Sequence, residues 1–405
     1  MIKANPERVL RDLHMLREIG RYETGVHRPT LSDDDIKTRH WLKDELVAIG
    51  HDTHIDGIAN VIGYSSAPGR KMLCGSHLES QNRAGWLDGA LGVVYALEAA
   101  RAVVESGEKD AGVDVMAFAD EEGHFGSMIG SNSLVGNMTE PMMDASKNRT
   151  TGEPLRDALD RAGFTGPRAS LDPSRYIGML EAHIEQGDSL EADELKIGVV
   201  TSIVGIWQFQ LTFKGLQNHA GTTRMAIRKD AGVSMMRVYQ RLQERFPQEV
   251  AERTVWTVGS MTLDPGAPSI VPGGAEMQFQ FRDADPDLLA KLEGVLTEVV
   301  AEENANGPCP VTLTAQTRGM PARMDSGLQN AIEAAAEAIA PGKHVRMPSG
   351  AGHDAQVIAQ KMPSSMLFIP SINGVSHHWT EDTSDADIAL GAQVYVDAVA
   401  RMLAE

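Results

Sequence analysis

Residues 71–122 read KMLCGSHLESQNRAGWLDGALGVVYALEAARAVVESGEKDAGVDVMAFADEE. Lys71 to Ser76 is a short apolar run ending at glycine and serine, the pattern of a strand buried on both faces. Residues 90–105 predict a long helix, and Val113 to Ala119 a second buried strand. Strand, helix, strand in that order implies parallel strands joined by a helical crossover. Polar residues gather just beyond the C-terminal ends of both strands, where open α/β sheets place their sites.

Working outward, residues 33–49 carry apolar side chains at helical spacing, begin with Asp and stop at Gly50. The texture changes near residue 206. Ile206 to Lys214 (IWQFQLTFK) alternates like a half-buried strand, as do Thr254 to Thr262 and Glu276 to Arg282. Residues 230–246 and 287–304 read as helices, and Val311 to Thr317 as extended chain. After residue 320 come a helix, an apolar strand (Met366 to Ile369) and a final helix from Asp385. The expected fold is α/β: a catalytic domain with a mainly parallel sheet flanked by helices, residues 1–206 and 320–405. A smaller α+β sandwich, residues 207–319, interrupts it.

The formal net charge is −19, with no Lys/Arg cluster to hold a nucleic-acid backbone. No apolar stretch approaches the ~20 residues of a membrane span, and the N-terminal residues lack an apolar signal core. Two cysteines, Cys74 and Cys309, suit a reducing compartment. Cys74 lies in an apolar run and reads as a core thiol. A cytoplasmic protein without nucleic-acid or membrane partners is expected.

Four segments concentrate metal-binding side chains: GSHLE with WLDGA, ADEEG, EAHIEQG, and SHH at 376–378. A histidine at a strand end and an aspartate eleven residues later converge if the loop between them folds back. Of two adjacent glutamates, one can bind metal while the other takes a proton from water. Singly, such a histidine is more often hydrogen-bonded structure, and a Glu-Glu pair solvated surface. Together, clustered around apolar strands, they form a mixed His/carboxylate set that suits zinc, manganese, cobalt or nickel better than calcium. The absence of nearby cysteine argues against a structural zinc site.

The segments GSHLESQNRAGWLDGALGVVYALE, FADEEGHFGSMIGS, EAHIEQGDSLE, NHAGTTRMAIRKDA, MPSGAGHDA and INGVSHHWTEDT occur in this order over nearly the whole chain. In this the chain resembles the amidase/hydantoinase/carbamoylase branch of the dinuclear-metal aminoacylase and carboxypeptidase superfamily. The resemblance implies hydrolysis of a linear amide or ureido C–N bond in an N-carbamoyl-L-amino acid or allantoate-like ureido acid. The alternative is an N-acyl amino acid amidohydrolase or dipeptidase with the same metals. It implies two divalent ions per subunit, bridged by Asp88, with His77 and His183 on one and Glu122 and His377 on the other. Glu121 would be the general base, His219 the oxyanion donor and Arg282 the clamp on a substrate carboxylate. Gln186 and the loop containing Gly350 match substrate-facing elements. His378 is read as a neighbour of the ligand.

Three positions depart from the branch. Ser269 stands where an asparagine is usual, and Arg224 where a proline is usual. Glu79 replaces an aspartate and is expected to orient His77 from behind. The first two put the acyl group in question, or suggest a second acidic group on the substrate. The resemblance also implies a homodimer formed through the inserted domain. Its first strand, Ile206 to Lys214, would offer an edge to the partner or be covered within one chain.

Overall fold

The computed structural model describes residues 2–404. The chain divides into two compact units, Met1–Ser202 with Arg323–Glu405, and Ile203–Ala322.

The first unit is built on a twisted, mostly parallel sheet. Seven of its nine strands lie in the order Ile197–Ile203, Ser364–Ile369, Tyr176–Ile184, Lys71–His77, Gly112–Phe118, Val61–Tyr64 and Asp52–Ile55, and His344–Ser349 and Ala322–Arg323 also pair with Ile197–Ile203. The four strands from Ser364–Ile369 to Gly112–Phe118 run parallel, and antiparallel partners close both sides. Every residue of Lys71–His77, Gly112–Phe118 and Ser364–Ile369 is buried. That explains why these strands read as continuous apolar runs without alternation.

The crossover helix spans Ala90–Glu105, and all its residues from Ala90 to Val103 are buried. It packs against the sheet and against the helices Pro6–Glu18 and Asp385–Ala404. Cys74 is fully buried in this core. The helix Asp33–Ala48 is capped by Ser32, whose side chain accepts from the Asp35 N–H, and three aspartates follow in its first turn. Among the described residues no helix is long and apolar enough to cross a membrane.

The second unit is a four-stranded antiparallel sheet in the order Val255–Asp264, Gly274–Asp283, Gly205–Lys214, Val311–Arg318. Alternate residues Trp207, Phe209, Leu211 and Phe213 meet Met277, Phe279 and Phe281 under the helices Ala231–Arg245 and Pro286–Asn306. The opposite face carries Gln208, Gln210, Gln278 and Gln280, which is the period-two pattern of a sheet covered on one side. Gly205–Lys214 is an interior strand of this sheet, paired on both sides. It offers no edge, because its alternation reflects a covered face, a property that edge and interior strands share. The edges are Val255–Asp264 and Val311–Arg318.

Candidate active site

His77 ends one parallel strand, and His183 lies near the end of its neighbour, so the sheet brings their ring centroids to 6.0 Å. His77 Nδ1 is 3.0 Å from the Glu79 carbonyl oxygen, and His183 Nδ1 is 2.9 Å from that of Ile184. A carbonyl only accepts, so both Nδ1 atoms carry a proton, and Nε2 is the ring nitrogen each histidine turns toward the site.

Those Nε2 atoms face Asp88. Its Oδ1 is 3.4 Å from His77 Nε2 and 3.0 Å from His183 Nε2, and its Oδ2 is 3.4 Å from His377 Nε2. Burial alone would favour the neutral acid, but His183, His377 and His77 hold the Asp88 carboxyl well below the usual range. The turn bearing Asp88 comes so close to the sheet that Gly89 is required. A Cβ there would sit 2.3 Å from the His77 ring, and φ is +69°.

Two ligand groups result, His77–Asp88–His183 and Asp88–Glu122–His377. Within each, the ligand atoms lie within 4.8 Å of one another, and Asp88 belongs to both. Three imidazoles with carboxylates fit first-row divalent ions better than calcium or magnesium. The His377 side chain is 53% exposed while Asp88 is 3% exposed, so the site opens to solvent on the His377 side.

Glu122 is fixed by Gln81, whose backbone N–H and side-chain amide donate to its two carboxylate oxygens at 3.0 and 2.8 Å. The turn carrying both glutamates is anchored by Asp120, which accepts from the N–H groups of His124, Phe125 and Gly126. Glu121 Oε2 lies 3.7 Å from His77 Nε2. Burial, with Glu122 and Asp354 nearby, pushes the Glu121 carboxyl well above its usual range. A carboxylate so placed takes up a proton readily, as a general base must. Asp120, Gln186 and His377 have φ of +58°, +59° and +56°. Left-handed backbone costs roughly 1–3 kcal/mol per residue and is held here by the surrounding bonds.

The Glu79 side chain does not orient His77. Its backbone carbonyl does that, and its carboxylate instead accepts from the buried Arg39 guanidinium and from the Glu121 N–H. Gln186 Nε2 donates to Asp88 Oδ2 at 2.9 Å and to Ser376 Oγ at 3.1 Å. Gly350 lies in the loop between the strand His344–Ser349 and the helix Asp354–Ile358, where a Cβ would meet nothing within 4 Å. Close packing does not require glycine at that position. His378 is half-buried and bonds Thr380, apart from both ligand groups.

The remaining predicted residues lie in the Ile203–Ala322 unit. His219 pairs with Ile270 in a two-residue ladder, and the Ala220 N–H donates to the Ser269 carbonyl at 2.9 Å. His219 Nδ1 accepts from the N–H groups of Gly221 and Thr222, so Nε2 carries the proton and is an exposed donor. Arg224 and Ser269 are exposed. Arg282 is half-buried on Gly274–Asp283, its Nε donating to Gln280 Oε1 at 2.9 Å, and burial pushes its guanidinium down.

Sequence reasoning missed Glu381. It is buried, accepts from the Leu87 and Asp88 N–H groups and from Ser376, and is pushed up to about 8 by burial and by Asp88. Gly85 leaves room for it, since a Cβ there would lie 1.8 Å from Glu381 Oε1. Also missed were Arg39, Gln81 and the buried His353 ring, 4.6 Å from that of His183. In the sequence His353 stands out only as part of the MPSGAGHDA segment. The others sit 40 or more positions from the groups they hold, which no local spacing reveals.

Residues 71–401 match peptidase family M20/M25/M40. The N-carbamoyl-L-amino-acid amidohydrolase of Paenarthrobacter aurescens is 31% identical over 404 residues, 97% of each chain. The allantoate amidohydrolase of Escherichia coli K12 is 31% identical over 91% of each chain. The crystal structure of an amidase of the hydantoinase/carbamoylase family from Burkholderia phymatum superposes with a TM-score of 0.90 at 45% identity, covering 100% of this chain and 99% of that one. The chain belongs to peptidase family M20/M25/M40, within its hydantoinase/carbamoylase amidases.

Proposed function

We propose that the protein hydrolyses the ureido C–N bond of an N-carbamoyl-L-amino acid or an allantoate-like ureido acid, using two divalent metal ions per subunit. The observation that carries this reading is the buried Asp88, with one oxygen toward two imidazoles and the other toward a third. A carboxylate shared by two ligand groups suits a bridge. His77 and His183 would complete one ion's protein ligands, and Glu122 and His377 the other's. Bound ions supply Lewis acidity and a more acidic water.

Glu121 takes a proton from the attacking water as the oxygen–carbon bond forms. It returns the proton to the nitrogen as the C–N bond breaks, releasing the amine. His219 Nε2–H is the donor for the developing oxyanion, and Arg282 the fork for the substrate carboxylate. Gln186, Ser269, Gly350 and Arg224 are assigned to substrate contacts. The domain reading assigns lid and dimerisation roles to the smaller unit. In support of a homodimer, Val233, Met236 and Tyr239 form an exposed apolar row along its helix Ala231–Arg245. The relatives named above, acting on carbamoyl and ureido acids, support the substrate class.

The test uses enzyme stripped of metal and reloaded separately with zinc, manganese, cobalt or nickel. N-carbamoyl-L-amino acids, allantoate, N-acyl amino acids and dipeptides are offered. Metal-dependent ammonia from ureido substrates supports the proposal. Amine release without ammonia, from acyl substrates only, moves the protein to the acylase or dipeptidase reading.

A further inference from the structure

Beside the Asp88–Glu122–His377 group lies a pocket of about 620 Å³ that the proposed chemistry does not use. Its walls include Tyr22, His27, Arg83, His124, Asn148 and Thr150. Two links tie it to the ligands. Gln81, which grips Glu122, directs its amide oxygen to Arg149, between Asn148 and Thr150, and the next residue, Asn82, donates to Thr150 Oγ1 at 3.4 Å. On the other side Tyr22 packs edge-on against Trp379, two residues after His377, with ring centroids 5.7 Å apart. The pocket therefore flanks the side on which the metal site opens to solvent.

Its chemistry is unlike that of the surface around it. None of the residues lining it is acidic, in a chain whose net charge is −19. Arg83 is steadied by the Tyr22 ring, with its guanidinium carbon 5.3 Å from the ring centroid, and its own backbone is left-handed at φ +54°. Its N–H donates to His27 Nδ1 at 3.2 Å. His124 is 1% exposed and its Nε2 has no hydrogen-bond partner. A buried ring nitrogen left unpaired is costly unless a ligand or water completes it. Asn82, Asn148 and Thr150 add neutral hydrogen-bonding groups, and the volume suits a small polar substituent.

We propose that this pocket is the subsite for a second carboxylate, borne on the side chain of the ureido or acyl amino acid whose C–N bond is cut. Arg83 is the cation that reads it, with the ring nitrogen of His124 and the Asn148 amide completing its hydrogen bonds. The inference rests on the amidohydrolase reading of the metal centre and narrows its substrate to acidic side chains.

The test compares N-carbamoyl-L-aspartate with N-carbamoyl-L-asparagine, and N-acetyl-L-aspartate with N-acetyl-L-asparagine, on the metal-loaded enzyme. Within whichever series turns over, kcat/KM favours the aspartate compound by about tenfold or more. Arg83→Gln abolishes that ratio, and Thr150→Glu, which sets a carboxylate in the pocket, inverts it. Equal kcat/KM for the two members, or a ratio that survives Arg83→Gln, overturns the subsite. Which series turns over judges the ureido reading separately. If neither does, calorimetric titration with L-aspartate and L-asparagine decides the subsite. Tighter aspartate binding that Arg83→Gln removes supports it, and equal binding overturns it.

Discussion

Arg39 Nη2 donates to Glu79 Oε2 at 2.7 Å with both side chains fully buried, and the other Glu79 oxygen accepts from the Glu121 N–H at 2.7 Å. The same guanidinium bonds Asp35 and the Ala59 carbonyl. An ion pair in the core thus ends on the backbone of the residue assigned as general base.

Removing Arg39 leaves two buried carboxylates without their cation. Arg39→Met is expected to lose about 3–5 kcal/mol of stability, read as a fall in the urea midpoint. A midpoint within error of the parent would show that the pair contributes little.

Glu121→Gln keeps the shape of the site and removes the proton acceptor. A loss of about 10²–10⁴-fold in kcat is expected, with metal content by elemental analysis unchanged. Lost metal alongside lost activity would reassign Glu121 as a ligand.

Because Asp88 belongs to both ligand groups, Asp88→Asn and His377→Ala are expected to differ in metal stoichiometry. The first weakens both ions, while the second removes one and leaves the His77–Asp88–His183 set able to hold the other. Equal stoichiometry in the two variants argues against a bridging aspartate.

Burial pushes the Cys74 thiol up to about 12 from 9.0. The folded state keeps a proton that the unfolded chain releases. This contribution is fully present below pH 9 and is lost as pH rises toward 12, an effect of about 4 kcal/mol. Urea midpoints at pH 8 and pH 10.5 should therefore separate more in the parent than in Cys74→Ala. Equal separations would place the alkaline sensitivity elsewhere.

If the proposed dimer uses the apolar row on Ala231–Arg245, Met236→Glu converts a species of twice the chain mass to one of single mass in sedimentation. An unchanged dimer would locate the interface on another surface.

Much of the catalytic unit was legible because its strands are buried on both faces and its crossover helix is apolar almost all round, so each segment announces itself locally. The candidate ligand residues stood out because they sit in short motifs, several of them at strand ends. Tyr176–Ile184, although it carries His183, was not read as a strand, since Glu181 and His183 interrupt its apolar run. Those polar groups are paid for by partners remote in sequence: Ser76 and the Ala355 N–H for Glu181, and Asp88 for His183. Glu79 misled for a similar reason. Its motif position is that of an orienting carboxylate, and only Arg39, forty residues earlier, shows where the side chain turns.

The strand Ser364–Ile369 fills an interior place in the large sheet, between Tyr176–Ile184 and Ile197–Ile203. On the ribosome this slot stays open until the inserted unit has been made, because its occupant is encoded after that unit. The nascent protein therefore carries two facing, unsatisfied strand edges through the synthesis of an entire inserted unit, a condition that invites aggregation. Chains released before residue 364 cannot heal that gap, so truncated products should be found with chaperones or in inclusion bodies.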